Sequence, residues 1–418
     1  MGTNLLPSVD SDTKQLDDDI RARLAANLAD PTTPEGAALR GAYAPVDPQT
    51  KLFPSEVMAA LRVALAPVGL VTNQRTPLSF KKWYNAKTRA KMGTGRASIA
   101  AIGTSITAGE GSSVAKGVGS WPARLQAQLV ADGCLDGGSG FIAATSNLTS
   151  ATSDPRVTRS AGWKIVSATT STLITGDTAG ATATFADTKR STEVTVVYMD
   201  WFTMTWSLTI DGGTPTSVTN TGTGALKKLT VTVPDGIHTA VVTLGAGTSA
   251  SAYFHLLGIS FMMPAGVVVH NLGVGGNTAS GALAGSNDRA RQIAILLGVT
   301  AALLEFGANE NPAGSGLPDF QNALAFGVQG LQGAGIETAL LTPPPSGNPN
   351  RPIADVVGRD YTISNSVPVP LVDVNKELAT WANVQAHGWD YATDSQYVHF
   401  NEFGHEEIAR IARVGLGL

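Results

Sequence analysis

Ser105, His399 and Asp394 are of the three residue types that together perform acyl transfer. They can supply a nucleophilic hydroxyl, a base that takes its proton, and a carboxylate that orients the base. Ser105 comes just after an apolar run over 97–102, which predicts a buried strand presenting the serine at its carboxyl end. His399 lies in a polar segment before the last helical pattern, and Asp394 is close enough in sequence to hold its imidazole. We expect Ser105 to act as nucleophile and His399 as general base.

An oxyanion needs hydrogen-bond donors aimed at the place where negative charge develops. Gly276 can offer a backbone N–H because it has no side chain to block approach, and Asn309 can offer its side-chain amide. With the N–H of Ser105, these groups predict an oxyanion hole of three donors.

Several other chemistries lack the residues they require. Gly-x-Ser-x-Gly would need glycine where Thr107 stands, and His-Glu-x-x-His from His405 would need histidine where Ala409 stands. The glycine-rich loop NLGVGGN lacks the spacing and the lysine of a nucleotide loop. We predict no metal and no cofactor, and we expect the single cysteine, Cys134, to be a small buried hydrophobic residue.

Strand and helix patterns alternate around these residues. Strand-like runs over 97–102, in VVVHNLGVGGN and in TAALLEFGANEN, and over 337–341 and 368–374, alternate with helical patterns over 120–129, 319–331 and 402–414. Such alternation predicts a parallel sheet with helices on both faces. Ligands of such sheets bind beyond the carboxyl ends of the strands, where the polar loops lie.

Residues 152–265 follow a different pattern, rich in Thr and Val with alternating hydrophobicity and with DGG and PDG turns. This predicts a β-sandwich, of jelly-roll type, inserted into the α/β domain. Its aromatic residues either fill the sandwich core or stack on sugar rings; they are Trp163, Tyr198, Trp201, Phe202 and Trp206. His238, His255 and His270 lie in strand-like runs and are expected to be structural.

Four segments resemble the conserved blocks of the SGNH hydrolases, also called GDSL lipases and acylhydrolases. They are GTSITAG, NLGVGGNT, GANE and HFNEFGH. The resemblance implies Ser105 as nucleophile, Gly276 and Asn309 as oxyanion donors, and His399 as base. It also implies a flavodoxin-like three-layer α/β/α core, divided into 91–151 and 266–418.

This chain departs from the family pattern at three positions. Thr104 and Glu310 each replace an aspartate, and neither belongs to the four catalytic groups. The family's orienting aspartate lies three residues before its histidine, where this chain has Gln396, whereas Asp394 lies five before. Asp394 is the expected partner of His399; the alternatives are Asp390, Asp373, a backbone carbonyl, or a Ser-His dyad.

Residues 1–90 form a helical leader, with amphipathic helices expected over 17–28 and 55–65. The first ~40 residues resemble the starts of minor tail proteins of actinobacteriophages. That likeness implies a place in the virion, contacts with other tail proteins through 1–90, and, by analogy, a homotrimer. The N-terminus has no signal-peptide pattern, so outside a virion a cytoplasmic location is expected.

Charge and hydropathy exclude two other classes of partner. The net charge is −4 with no basic tract, which argues against nucleic acid, and no apolar run is long enough to span a membrane. The expected function is hydrolysis of an acyl ester on a glycan or envelope component. The alternatives are a catalytically decayed receptor- or glycan-binding virion protein and a free bacterial carbohydrate esterase.

Overall fold

The computed structural model describes residues 80–114, 116–145, 154–165, 173–284, 288–310, 316–351 and 353–418. The two helices expected over 17–28 and 55–65 lie outside these residues. The first described helix covers the end of the leader segment, 1–90.

The elements of the hydrolase-like part, in chain order with the strands of the β-module between them, are as follows. They are α1 (Lys81–Lys91), β1 (Arg96–Gly103), α2 (Ser105–Ala108), α3 (Lys116–Gly119), α4 (Trp121–Ala131), β2 (Gly140–Ala143), β3 (Val157–Arg159), β4 (Trp163–Ile165), β5 (Ile174–Gly176), β6 (Thr182–Ala186), β7 (Ser191–Asp200), β8 (Thr205–Ile210), β9 (Thr216–Thr219), β10 (Ala225–Gly236), β11 (Thr239–Leu244), β12 (Phe254–Met262), β13 (Gly266–Gly273), α5 (Ala279–Leu283), α6 (Arg289–Leu297), β14 (Ala301–Glu305), α7 (Gly316–Gly333), β15 (Glu337–Leu341), α8 (Ile353–Ser366), β16 (Leu371–Val372), α9 (Val374–Leu378), α10 (Trp381–Ala386) and α11 (Glu402–Leu416).

A parallel sheet carries the predicted site residues. Its strand order is β13-β1-β14-β15-β16, and every pairing between neighbours is parallel. In chain order this is 2-1-3-4-5, the flavodoxin-like arrangement, with the topological switch between β1 and its neighbours β13 and β14. The predicted α/β fold class is confirmed.

The sheet is buried on both faces because its strands are apolar throughout. Ile99 on β1 packs with Trp121 of α4 and Ile408 of α11 on one face. Ile102 on the same strand packs on the other face with Ile293 of α6 and Leu324 of α7. Helices on both faces bury a strand without the period-2 alternation of a half-exposed one.

Two antiparallel sheets form the predicted β-sandwich. One has the order β10-β7-β12-β5-β4, with β2 also paired to β12, and the other has the order β3-β6-β11-β8-β9. Between them lies an apolar core in which the rings of Tyr198, Trp206 and Phe254 contact one another, with centroids 4.9–5.8 Å apart. Tyr198 and Trp206 therefore fill the sandwich core, whereas Trp201 is 47% exposed.

The sandwich packs directly on the hydrolase-like part. Phe141, Met199 and Leu257 belong to the same apolar cluster as Leu283 and Ile293 of the helices beside the parallel sheet. Among the described residues, no helix combines the length and apolarity needed to cross a bilayer.

Candidate active site

Ser105 is the first residue of α2, directly after β1. Thr104 caps this helix, its hydroxyl accepting a hydrogen bond from the N–H of Ile106 at 3.3 Å. The turn requires glycine at Gly103, because a Cβ there would lie 2.2 Å from the Thr107 hydroxyl and 2.4 Å from the Glu305 carbonyl oxygen. Ser105 is buried, at 5% exposure, with its hydroxyl directed at an imidazole.

His399 lies within hydrogen-bond distance of Ser105. The distance from its Nε2 to Ser105 Oγ is 3.0 Å, and its side chain is 13% exposed. It lies two residues before the cap of α11, where the Asn401 side chain accepts from the N–H groups of Phe403 and Gly404. The helix start thus anchors the segment that carries the histidine.

Asp394 lies on the other side of the imidazole. Its Oδ2 is 3.1 Å from Nδ1 of His399 and also accepts from the backbone N–H groups of Val398 and His399. Its Oδ1 accepts from the N–H of Gln396 at 2.9 Å. Burial alone raises the pKa of Asp394, but these hydrogen bonds and the neighbouring imidazole outweigh it and hold the pKa below its ordinary value.

The other candidate partners of His399 are engaged elsewhere or placed differently. Asp373 caps α9 and accepts from the hydroxyls of Thr342 and Tyr361. Gln396, at the position of the family's aspartate, accepts from Arg351 at 2.8 Å. For Asp390, the described contacts are a backbone bridge to Phe400 and a carbonyl that accepts from Asn401.

The loops after β13 and β14 flank the serine, because these strands are the two neighbours of β1. Gly276 has φ +71°, a left-handed conformation that favours glycine, and we find no backbone partner for its N–H among the described residues. Asn309 donates from Nδ2 to the Asn277 carbonyl at 2.9 Å, which uses one of its two amide protons.

Arg351 sets the orientation of the Asn309 amide, and sequence reasoning missed it. It donates to Oδ1 of Asn309 at 3.0 Å and to the Ala308 carbonyl, and its other nitrogen donates to Gln396. With the oxygen held by a cation, the Asn309 Nδ2 is the end left to face a ligand. Arg351 lies in a loop with no motif around it, so no signal in the sequence identified it.

Glu305 is a second residue that the sequence reasoning missed. It ends β14 with 1% exposure and accepts from the hydroxyls of Thr104, at 3.0 Å, and Thr107, at 2.7 Å, and from the Thr104 N–H. Burial raises its pKa to about 7. A carboxylate within the buried run AALLE is the signal that could have singled it out.

Glu110 is the third. Its Oε2 is 3.6 Å from Nε2 of His399. Its signal was the triplet Gly-Glu-Gly, five residues after the serine, in which both glycines have φ +92°.

A cleft of about 270 Å³ opens beside this group of residues, between the parallel sheet and the sandwich. On one side it is bounded by Ala108, Glu110 and the loop over 274–276. On the other it is bounded by residues of the β-module, among them Arg156 and Lys189.

The three histidines expected to be structural are held by local contacts. His238 hydrogen-bonds Asp211 at 2.6 Å, His255 hydrogen-bonds Thr175 at 3.1 Å, and His270 is fully buried in β13. Cys134 is buried.

No protein-family model matches this chain, and no curated protein matches it. Among solved structures it is similar to one titled as a peptidoglycan O-acetylesterase in action, at 16% identity and a TM-score of 0.62. That likeness covers 84% of this chain and 98% of the other. The two chains share a fold.

Other similar structures cover less of the chain. A lipase/acylhydrolase from Enterococcus faecalis is 20% identical over 36% of this chain and 77% of its own, with a TM-score of 0.30. A carbohydrate esterase family 2 enzyme with a carbohydrate binding domain, from Corynascus thermopiles (Myceliophthora fergusii), is 14% identical over 63% of this chain and 100% of its own, with a TM-score of 0.27.

Proposed function

We propose that this protein is a serine esterase that hydrolyses an O-acyl ester through a Ser105–His399–Asp394 triad. The observation that carries the proposal is the hydrogen-bonded chain itself, with 3.0 Å from Ser105 Oγ to Nε2 and 3.1 Å from Nδ1 to Asp394 Oδ2. These are the contacts that a nucleophile, its base and an orienting carboxylate need.

Each group has a distinct part in the reaction. Ser105 Oγ attacks the acyl carbonyl while His399 Nε2 takes its proton, and Asp394 stabilises the imidazolium that results. The N–H groups of Ser105 and Gly276 and the Nδ2 of Asn309 bind the oxyanion. His399 then returns the proton to the leaving alcohol. Water attacks the acyl-enzyme by the same route in reverse and releases the acid.

The test is hydrolysis of p-nitrophenyl acetate and butyrate by the wild type and Ser105→Ala. We expect turnover by the wild type and a loss of about 10³-fold or more in kcat for the variant, because the nucleophile is gone. The variant must keep the wild-type unfolding temperature. A wild type without turnover on these esters and on acetylated glycans would favour the catalytically decayed binding protein.

A glycan ester is the substrate we propose. Support comes from the shared fold with a protein named as a peptidoglycan O-acetylesterase, and from the β-module that walls one side of the cleft beside Gly276. Acetate release from O-acetylated peptidoglycan should exceed release from a triacylglycerol of equal ester concentration. The reverse order would contradict the glycan assignment.

The resemblance of residues 1–90 to minor tail proteins supports a role on a phage virion, trimming envelope esters during adsorption, with the chain present as a homotrimer. The protein should then co-purify with phage particles through a density gradient, and light scattering should give the mass of three chains. Absence from purified particles would overturn this placement and leave the free esterase.

A further inference from the structure

Glu110 places a second carboxylate at the catalytic histidine, on the side opposite Asp394. Its Oε2 is 3.6 Å from Nε2, the nitrogen that also contacts Ser105 Oγ, and its side chain is 30% exposed. Nε2 is the atom that hands a proton to the leaving alcohol. The carboxylate therefore lies next to the position that the alcohol part of the ester must occupy.

The fold holds Glu110 at this position by its backbone. Its N–H donates to the Ser105 carbonyl at 2.9 Å, and its carbonyl accepts from Nε2 of His405 at 3.3 Å. Gly111 lets the loop approach the histidine segment, since a Cβ there would lie 2.5 Å from the Phe400 carbonyl oxygen. At Gly275, a Cβ would lie 2.3 Å from Oε1 of Glu110, so that glycine leaves room for the carboxylate.

The charges along the cleft are compensated at one side and not at the other. Arg156 pairs with Asp154 at 2.6 Å, and Lys189 pairs with Asp136 at 2.8 Å. Among the side chains that the structure describes, no Lys or Arg pairs with Glu110, whose ion-pair contact is the imidazole. The charge that faces the alcohol site beside the nucleophile is therefore negative.

We propose that Glu110 is a specificity-determining residue that selects esters whose alcohol part is neutral or cationic near the scissile bond. An ammonium there is attracted and an anion is repelled, at a distance where Coulomb interactions outweigh thermal energy in a partly buried site. The substrate class is an acyl ester of a neutral sugar or of an amino sugar with a free ammonium, rather than of a uronate or a phosphorylated alcohol. This inference rests on the proposed esterase function.

Three aryl acetates of similar shape test the proposal: 3-(trimethylammonio)phenyl acetate, its neutral isostere 3-tert-butylphenyl acetate, and 3-sulfophenyl acetate. The ratio of kcat/KM to that of the neutral ester is measured for the wild type and Glu110→Gln. Comparing these ratios between proteins cancels the intrinsic reactivity of each ester. In Glu110→Gln we expect the cation-to-neutral ratio to fall and the anion-to-neutral ratio to rise, each roughly fivefold at low salt and less at ~0.5 M salt.

Asp235→Asn is the matched control, because it removes one negative charge from an exposed pair with Arg190 on the sandwich. It should leave both ratios at their wild-type values. If Glu110→Gln changes all three esters by one factor, the carboxylate sets no charge preference and the inference is wrong. If the wild type hydrolyses none of the esters, the esterase function itself fails.

Discussion

At the residue scale, the site depends on one carboxylate that is displaced in sequence but not in space. Asp394 is two positions further from His399 than the family pattern requires, yet its Oδ2 lies 3.1 Å from Nδ1. The segment between them turns tightly, with Tyr397 at φ +52°, and three of its N–H groups bind the carboxylate. Those hydrogen bonds keep Asp394 ionised and pointed at the imidazole.

Asp394→Asn should lower kcat for p-nitrophenyl acetate by about 10³- to 10⁴-fold, because an amide cannot hold the imidazole in the right tautomer or stabilise its cation. Steady-state kinetics at neutral pH, with the unfolding temperature as a check on folding, measure the effect. Asp390→Asn is the control and should stay within about twofold of the wild type. The opposite pattern would make Asp390 the orienting residue.

Glu305 should make stability depend on pH. Its folded pKa of about 7 lies above the ordinary 4.5, so between these values the folded state keeps a proton that the unfolded state has lost. Stability therefore falls as pH rises from about 4.5 to 7, by up to about 3 kcal/mol from this group.

Glu305→Gln cannot ionise, so its free energy of unfolding relative to the wild type should increase from pH 5 to pH 8. Urea unfolding of both proteins at several pH values measures the difference. Parallel pH curves for the two proteins would show that Glu305 ionises in the folded state as it does in the unfolded chain.

At the element scale, the loop after α2 brings the chain from Ser105 to the histidine segment. Gly109 ends α2 in the left-handed conformation, and Gly111 lies against the backbone of Phe400. The loop is thus shaped by two residues whose backbone conformation and lack of a side chain allow close approach.

Gly111→Ala should lower stability by more than ~2 kcal/mol and reduce kcat. The new Cβ would lie 2.5 Å from the Phe400 carbonyl oxygen, so the loop or the histidine segment must move. Gly133→Ala is the matched control: its φ is +95°, and nothing lies within 4 Å of its Cβ position. It should show only the strain of a left-handed alanine, about 1–2 kcal/mol, with wild-type kcat. Equal effects in both variants would mean that contact with Phe400 is unimportant.

At the scale of the whole molecule, the β-module and the parallel sheet share an apolar interface. Leu257 on β12 belongs to the cluster that includes Leu283 and Ile293, whereas Ile259 on the same strand lies in the core of the sandwich. One strand therefore contributes to both cores, which should couple their unfolding.

Leu257→Ala and Ile259→Ala should each lower the unfolding temperature, with a loss of about 2–5 kcal/mol, while the protein still unfolds in a single transition. Differential scanning calorimetry measures both quantities. A separate early transition in Ile259→Ala would show instead that the sandwich unfolds on its own.

The sequence alone determined the class of the fold and the order of its parts. Period-2 alternation separates a sandwich strand from the continuously apolar strands of a sheet covered on both faces, so the α/β core and the sandwich could be told apart. The types and order of Ser105, Gly276, Asn309 and His399 also predicted candidate site residues, because chemistry of this kind needs those groups at the ends of parallel strands.

The tertiary structure alone decided which charged groups surround these residues. Asp394, Asp390 and Asp373 were equivalent by residue type, and only the path of the loop brings one of them to 3.1 Å from His399. Glu110 and Arg351 reach the site through contacts between segments distant in sequence. The reason is physical: local patterns report burial and backbone preference, whereas the position of a side chain relative to a distant segment depends on packing of the entire molecule.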